Sequence, residues 1–236
     1  MTILTTTIHS KIAIIITAAG SSTRIGGSIK KEYLPYKKGT VLSGCAETFL
    51  NACSSRYEIT DFVITCPKGG TEECKKALGE VYQSSPVKIK ITEGAETRQK
   101  SVYKGMCAVN GEPQIVLIHD GARPFVSEKI IVDGIEAAIE YGASVPGITP
   151  TDTQKEIDEE GFIVRHLMRS SLSAVQTPQC FEFKKLLEAH KRALSDDREY
   201  TDDTEIWGAY CGKVRVYPGD VNNIKITYPA DLEKIK

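Results

Sequence analysis

The chain has 236 residues, thirty basic against thirty-one acidic for a formal net charge of -1, and 41% hydrophobic residues. That balance suits one compact domain with or without an appendage, excludes wholesale disorder, and argues against a dedicated nucleic-acid binder, which carries a net basic surface. The apolar run near the start covers only residues 12–16. About 20 such residues are needed to span a bilayer, so no membrane partner is expected.

Residues 1–10, MTILTTTIHS, lack the basic and apolar regions of an export signal and read as a polar N-terminal tail. The seven cysteines are odd in number and form no C-x-x-C, which favours reduced thiols in a cytoplasm over a disulfide framework or a zinc site.

In chain order, residues 11–17 (KIAIIIT) read as a strand buried on both faces. Residues 41–53 read as a helix with Leu42, Cys45, Phe49 and Ala52 on one side. A strand follows at 61–66, stopped by Pro67 and Gly69-Gly70, then a short charged helix from Thr71 to about Leu78. Residues 87–92 read as a third strand, 97–109 as a helix, and 115–119 as a fourth strand. Residues 127–141 read as a helix capped by Ser127. Strands and helices alternating at this spacing predict βαβ units: an α/β fold with a mostly parallel central sheet and helices on both faces.

Residues 150–171 break that rhythm. They read as a hairpin, with strands at 154–157 and 162–167 and a turn at 158–161. Such an insertion is either a surface excursion or an arm that embraces a second subunit. Helices at 183–194 and 202–210, a strand at 213–217 and a final helix from Pro229 complete the expectation.

In an open parallel sheet, ligands bind beyond the carboxyl ends of the strands. After the first strand come Ala18, Ala19, Gly20 and Ser21, then Arg24 and Lys31. Small residues let the backbone approach a phosphate, and the two cations add fixed charge. A P-loop is excluded, because Ile25 stands where its second glycine belongs. A dinucleotide fingerprint fails at Ser22, and the bland alternative is an ordinary Gly/Ser loop.

The turn after the third strand, Gly94-Ala95-Glu96-Thr97-Arg98, is followed by Ser101. Thr97 alone would make it a plain helix cap. The fourth strand ends in His119-Asp120-Gly121-Ala122-Arg123. Asp120 suits a ribose or metal contact, or else a structural ion pair with Arg123, and His119 reads as packed. Gln176-Thr177-Pro178-Gln179 and the run 223–227 are compact polar clusters. Lys225 in the second, inside an otherwise strand-like run, is a snorkelling lysine or a ligand contact. Arg24, Lys31, Arg98, Arg123, Arg169 and Lys225 all fall in or near loops of a neutral chain, which points to a polyanionic small ligand. No Ser-His-Asp or Cys-His arrangement stands out. Phosphoryl or nucleotidyl transfer needs none, since the substrate can supply the nucleophile.

Seven segments in this order resemble the 2-C-methyl-D-erythritol 4-phosphate cytidylyltransferases: AAGSSTRIGGSIKKEYLP, GAETRQKSV, HDGARPFV, TDTQKE, SSLSAVQTPQCF, YTDDTE and NNIKITYPADL. Ribitol-5-phosphate cytidylyltransferases share most of them. A third reading keeps the fold as a nucleotide-binding regulator without turnover.

The resemblance implies a single Rossmann-like nucleotidyltransferase domain over 11–236. Its β-arm, at about 150–171, interlocks a homodimer. It implies CTP as substrate with Mg²⁺, the ion held mainly by the CTP phosphates, with Asp120 as a further candidate ligand. Arg24 and Lys31 match the pair that stabilises charge on the α-phosphate. Ala18, Ala19, Gly20, Gly94, Ala95, Ser101 and Asp120 match the nucleotide contacts. Arg123, Thr153, Arg169, Thr177 and Lys225 match residues that place the sugar-alcohol phosphate, with Arg169 and Lys225 also counted as catalytic. Arg169 and Thr177 are implied to act across the dimer. The chain departs from the family pattern at Ser22, Ala95, Gly121 and the Lys30-Lys31-Glu32 triplet.

Overall fold

The computed structural model describes residues 10–20, 30–196 and 198–235. β1 (Lys11–Thr17) is followed, after a 3-10 turn at Lys31–Tyr33, by a two-stranded ribbon of β2 (Pro35–Tyr36) and β3 (Gly39–Thr40). Then come α1 (Val41–Cys53), β4 (Glu58–Cys66), α2 (Thr71–Leu78), α3 (Glu80–Ser84), β5 (Ile89–Glu93), α4 (Arg98–Cys107), β6 (Ile115–Asp120) and α5 (Glu128–Tyr141). The second half holds β7 (Ala143–Ile148), β8 (Lys155–Ile157), β9 (Ile163–His166), β10 (Ala174–Val175), β11 (Gln179–Glu182), α6 (Phe183–Ala193), α7 (Asp203–Tyr210) and β12 (Arg215–Pro218). No helix among the described residues is long and apolar enough to cross a membrane.

β1 lies near the middle of an eight-stranded sheet, parallel to β4 on one side and β6 on the other, with β5 parallel beyond β4. The period-two alternation of a strand divides β1 between two cores. Ile12, Ile14 and Ile16 pack with Leu42 and Phe49 of α1 and Ile131 and Ile135 of α5. Ala13 and Ile15 pack with Val102 and Met106 of α4, Leu186 of α6 and Trp207 of α7. Both faces are therefore covered, which is why β1 carries no polar face.

Local chemistry sets the helix ends. Thr40 and Ser43 form a reciprocal capping box on α1, and Ser127 accepts from Ile130 N–H at the start of α5. Gly142, at φ +83°, ends α5 in the left-handed region that favours glycine.

The second half differs from the expectation in five places, one of them the two-residue β10, which the sequence reading lacks. β7 is absent from the sequence reading because Pro146 and Gly147 interrupt its pattern. It is nonetheless a full strand, parallel to β12 and antiparallel to β10 and β11. β11 slots antiparallel between β6 and β7, and four residues are too few to show a period. The run at 223–227 forms no strand, and the last segment is a 3-10 turn at Pro229–Ile235 rather than an α-helix.

The hairpin forms as expected, with β8 and β9 antiparallel. Its turn is held by Asp158, whose Oδ1 accepts from the N–H groups of Glu160 and Phe162. The arm carries exposed apolar side chains: Ile157, Phe162, Ile163, Val164 and, at its base, Met168.

Candidate functional site

The carboxyl ends of β1, β4, β5 and β6 bring the sequence-predicted loops to one edge. Ala18 is buried and its N–H donates to Thr65 O, tying the first loop to β4. Ala19 and Gly20 lie beside it, and Lys30 Nζ donates to Gly20 O. Arg24 and Ser22 lie outside the described residues.

The Gly94-Ala95 turn packs directly on this loop. A Cβ on Gly94 would collide with Ala19 Cβ and stand 2.7 Å from Ser101 Oγ, so only glycine permits the approach. Ser101 Oγ accepts from Ala95 N–H at 2.9 Å and donates to Thr97 O at 2.9 Å. It thus shapes the turn whose backbone faces the edge.

Asp120 ends β6 and is the centre of the charge. Lys225 Nζ lies 2.6 Å from its Oδ2, Arg98 Nε 3.5 Å from its Oδ1 and Arg123 Nε 4.0 Å from its Oδ2. Burial works to raise its pKa. The Arg98 guanidinium, then Lys225, then Arg123 outweigh burial and hold the carboxyl well below the usual carboxylate range.

The segment 223–226 anchors the cations. Arg123 Nη1 donates to Asn223 O at 2.6 Å, and the buried Lys31 donates through Nζ to Ile226 O at 2.9 Å. Asn223 Nδ2 in turn donates to Thr177 O at 3.0 Å. The run at 223–227 is irregular because its backbone serves these side chains instead of a neighbouring strand.

A hydrogen-bond chain sets the tautomer of His119. Its Nε2–H donates to Arg123 O at 3.1 Å, which leaves Nδ1 to accept from the Thr177 hydroxyl at 3.1 Å. Thr177 Oγ1 itself accepts from Asp120 N–H at 3.1 Å. Burial pushes the His119 pKa down to about 4, so the ring is neutral. Its ordinary value is 6.5, so between pH 6.5 and 4 the unfolded chain takes up a proton that the folded chain refuses. Stability contributed by neutral His119 is complete above pH 6.5 and declines as pH falls through that window, by about 3 kcal/mol in all. Urea unfolding of the native and His119→Gln chains at pH 7, 5.5 and 4 should show their stability difference shrinking with acid. A pH-independent difference refutes the assignment.

The structure separates the candidate residues into two groups. Lys31, Asp120, Arg123, Thr177 and Lys225 meet at the carboxyl edge with the 18–20 and 94–95 backbone. Thr177 Oγ1 accepts from Asp120 N–H of its own chain, whereas the resemblance implies that it acts across a dimer. Arg169 and Thr153 lie on the arm, where Arg169 Nη1 donates to Thr151 O at 2.6 Å.

Arg98 is a direct neighbour of Asp120, a role the sequence reading missed. Asp203 and His190 stand behind it, both fully buried. The only signal for His190 is a polar ring on the apolar face of α6, next to Leu186, Ala189 and Ala193.

Among the described residues no three His, Cys, Asp or Glu side chains gather to hold a metal. Asp120, at the end of β6, is already shared by three cations. The described donors at this edge do not by themselves form a protein metal site.

The family model described as 2-C-methyl-D-erythritol 4-phosphate cytidylyltransferase matches residues 12–236. The chain is 42% identical to the protein of that name from Clostridium novyi over 94% of each chain, and 38% identical to that from Clostridium perfringens over 94% of this chain and 96% of the relative. Its fold is similar to the 4-diphosphocytidyl-2C-methyl-D-erythritol synthase of Anaerococcus prevotii, with a TM-score of 0.82, 28% identity and coverage of 96% and 94% of the two chains. It is also similar to the 2-C-methyl-D-erythritol 4-phosphate cytidylyltransferase of Thermus thermophilus, with a TM-score of 0.75, 28% identity and coverage of 95% and 97%. A Rossmann-like sheet, a charged carboxyl edge and agreement over nearly the whole length place this chain in the 2-C-methyl-D-erythritol 4-phosphate cytidylyltransferase family.

Proposed function

We propose that the carboxyl-edge cluster binds CTP and a sugar-alcohol phosphate and joins them. The enzyme is a CTP-dependent nucleotidyltransferase. It transfers the cytidylyl group of CTP to 2-C-methyl-D-erythritol 4-phosphate, giving 4-diphosphocytidyl-2-C-methyl-D-erythritol and pyrophosphate in non-mevalonate isoprenoid precursor synthesis. The observation that carries the site is the convergence of Arg98, Arg123 and Lys225 on Asp120, with Lys31 anchored one residue along the same segment.

A phosphate oxygen of the acceptor attacks the α-phosphorus in line. The new P–O bond forms as the bond to the β-phosphate bridge breaks, and pyrophosphate departs. The acceptor brings its own nucleophile, so the protein's task is placement and charge stabilisation. Lys31, with Arg24, meets the charge on the α-phosphate, while Lys225, Arg123 and Thr177 place the acceptor. The 18–20 and 94–95 backbone, with Ser101, holds the nucleotide, and Asp120 orients the cations and reaches the ribose side. Mg²⁺, held mainly by the CTP phosphates, would offset their negative charge.

We read 11–236 as one nucleotidyltransferase domain whose β-arm pairs two copies. The exposed Phe162, Ile163, Val164 and Met168 support this, because apolar side chains clustered on a projecting ribbon need a partner. The same arrangement carries Arg169 and Thr153 to the neighbouring subunit's site. All seven cysteines are free, and we place the enzyme in the cytoplasm, where a reducing pool keeps thiols so.

Pyrophosphate release measured with CTP and Mg²⁺, in parallel with 2-C-methyl-D-erythritol 4-phosphate or ribitol 5-phosphate, tests the reading. Turnover with the first acceptor alone is expected. Turnover with ribitol 5-phosphate instead overturns the acceptor, and silence with both despite CTP binding overturns the transfer.

A further inference from the structure

Arg98 opens α4 and reaches two carboxylates at once. Its Nε faces Asp120 Oδ1 at 3.5 Å, and its Nη1 lies 2.7 Å from Asp203 Oδ2. Asp203, in the first turn of α7, is fully buried, and its Oδ1 lies 3.0 Å from Nε2 of the fully buried His190. Its backbone is fixed as well. Asp203 N–H donates to Gln179 Oε1 at 3.2 Å, and Gln179 Nε2 donates to Asp202 Oδ2 at 2.8 Å.

A guanidinium is planar and rigid, so holding Nη1 restricts where Nε can point. The two oxygens of Asp120 are thereby divided. Oδ1 goes to Arg98, and Oδ2 is left for Lys225 at 2.6 Å. Burying an ionised carboxylate away from water is unfavourable unless it is paired, and Asp203 is paired with a side chain that faces the reaction edge.

We propose that Arg98 is a positioning residue for cytidylyl transfer: pinned by the buried Asp203–His190 pair, it sets the rotation of the Asp120 carboxylate and hence the place from which Lys225 meets the incoming phosphate. The proposal rests on the reading of Lys225 as a phosphate-placing residue. The plain alternative is an ion pair that merely docks α7 against α4. A structural pair changes the amount of folded protein, whereas a positioning residue changes the kinetics of the protein that is folded.

Arg98→Gln, Asp203→Asn and Lys225→Ala are to be made singly, and Arg98→Gln also in combination with each of the other two. Steady-state kcat and KM for both substrates are measured alongside the melting temperature. Arg98→Gln should lower kcat/KM for the alcohol phosphate about ten- to a hundredfold. In the Lys225→Ala background the same change should add little, because the group that Arg98 positions is gone. Asp203→Asn should show the same pattern more weakly, and the Arg98→Gln/Asp203→Asn chain should be no slower than Arg98→Gln.

Native kinetics in folded Arg98→Gln, with only a lower melting temperature, overturns the proposal in favour of the structural pair. An undiminished further loss on top of Lys225→Ala overturns it in favour of direct substrate contact. Native kinetics in Lys225→Ala overturns the reading of Lys225 itself, and the single variant shows which has failed. Should Arg98→Gln not fold, the Arg98→Gln/Asp203→Asn chain, which removes both charges together, carries the cycle in its place.

Discussion

Lys31→Ala is expected to lower kcat by about 10²- to 10³-fold, the usual loss when one preorganised donor to developing negative charge is removed. The size follows from how the amine is held. Lys31 lies on the 3-10 turn Lys31–Tyr33, nearly buried, with Nζ anchored 2.9 Å from Ile226 O. Around it Tyr36, Val41 and Ile226 form a small core against Leu34, Phe125 and Leu232. A lysine packed this way has surrendered its rotamer freedom on folding, so it pays little further entropy when the triphosphate arrives. The neighbouring charge does not cancel it, since Glu32 also pairs with Lys30 at 3.9 Å. Steady-state kinetics on folded protein checks the expectation, and a drop of only a few-fold removes Lys31 from its assigned role.

Arg169→Ala is expected to reduce kcat/KM for the alcohol phosphate by about a hundredfold, as a charged phosphate contact is lost from the site. The change leaves the fold untouched, because Arg169 is exposed and its hydrogen bond to Thr151 O stays within the arm. Mixing chains makes the stronger test. If the arm delivers Arg169 to the neighbouring subunit, a Lys31→Ala chain paired with an Arg169→Ala chain has one intact site, built from the good Lys31 of one and the good Arg169 of the other. Equal mixing with free exchange then restores about a quarter of the native sites. Inactive chains that stay inactive after exchange place Arg169 in its own subunit's site.

Most of the first half of the fold was legible because its longer elements declare themselves locally; the short β2, β3 and α3 did not. Residues 12–16 are apolar throughout because α1 and α5 cover one face of β1 and α4, α6 and α7 the other. Helix α1 runs over the range its periodicity indicates, Val41–Cys53, with Thr40 marking its start. Of the strands that went unseen, β7 and β11 owe their existence to distant partners. Pro146 interrupts one, and the other is four residues long, so each becomes a strand only when β6, β12 and one another are in place. The final segment misled for the opposite reason. Pro229 can start a helix, but Asp231 turns back to accept from the N–H groups of Thr227 and Tyr228, and the turn stays 3-10.

The site divides in the same way. Residue type and position at a strand end singled out Asp120 and Arg123, and positive charge in loops singled out Lys31 and Lys225, because the carboxyl ends of parallel strands share one edge and a polyanion needs cations there. What the sequence by itself determined is therefore the chemical class of the ligand and the edge that receives it. Only the tertiary structure decided which charges touch. It joined Arg98 to Asp120 and Asp203, placed Thr177 within its own chain's site, and anchored Lys31 on Ile226, residues separated by 22 to 195 positions. Periodicity and motif spacing report what lies within a turn or a strand. The orientation of a guanidinium or an ammonium is set by partners that are near only after the sheet has closed.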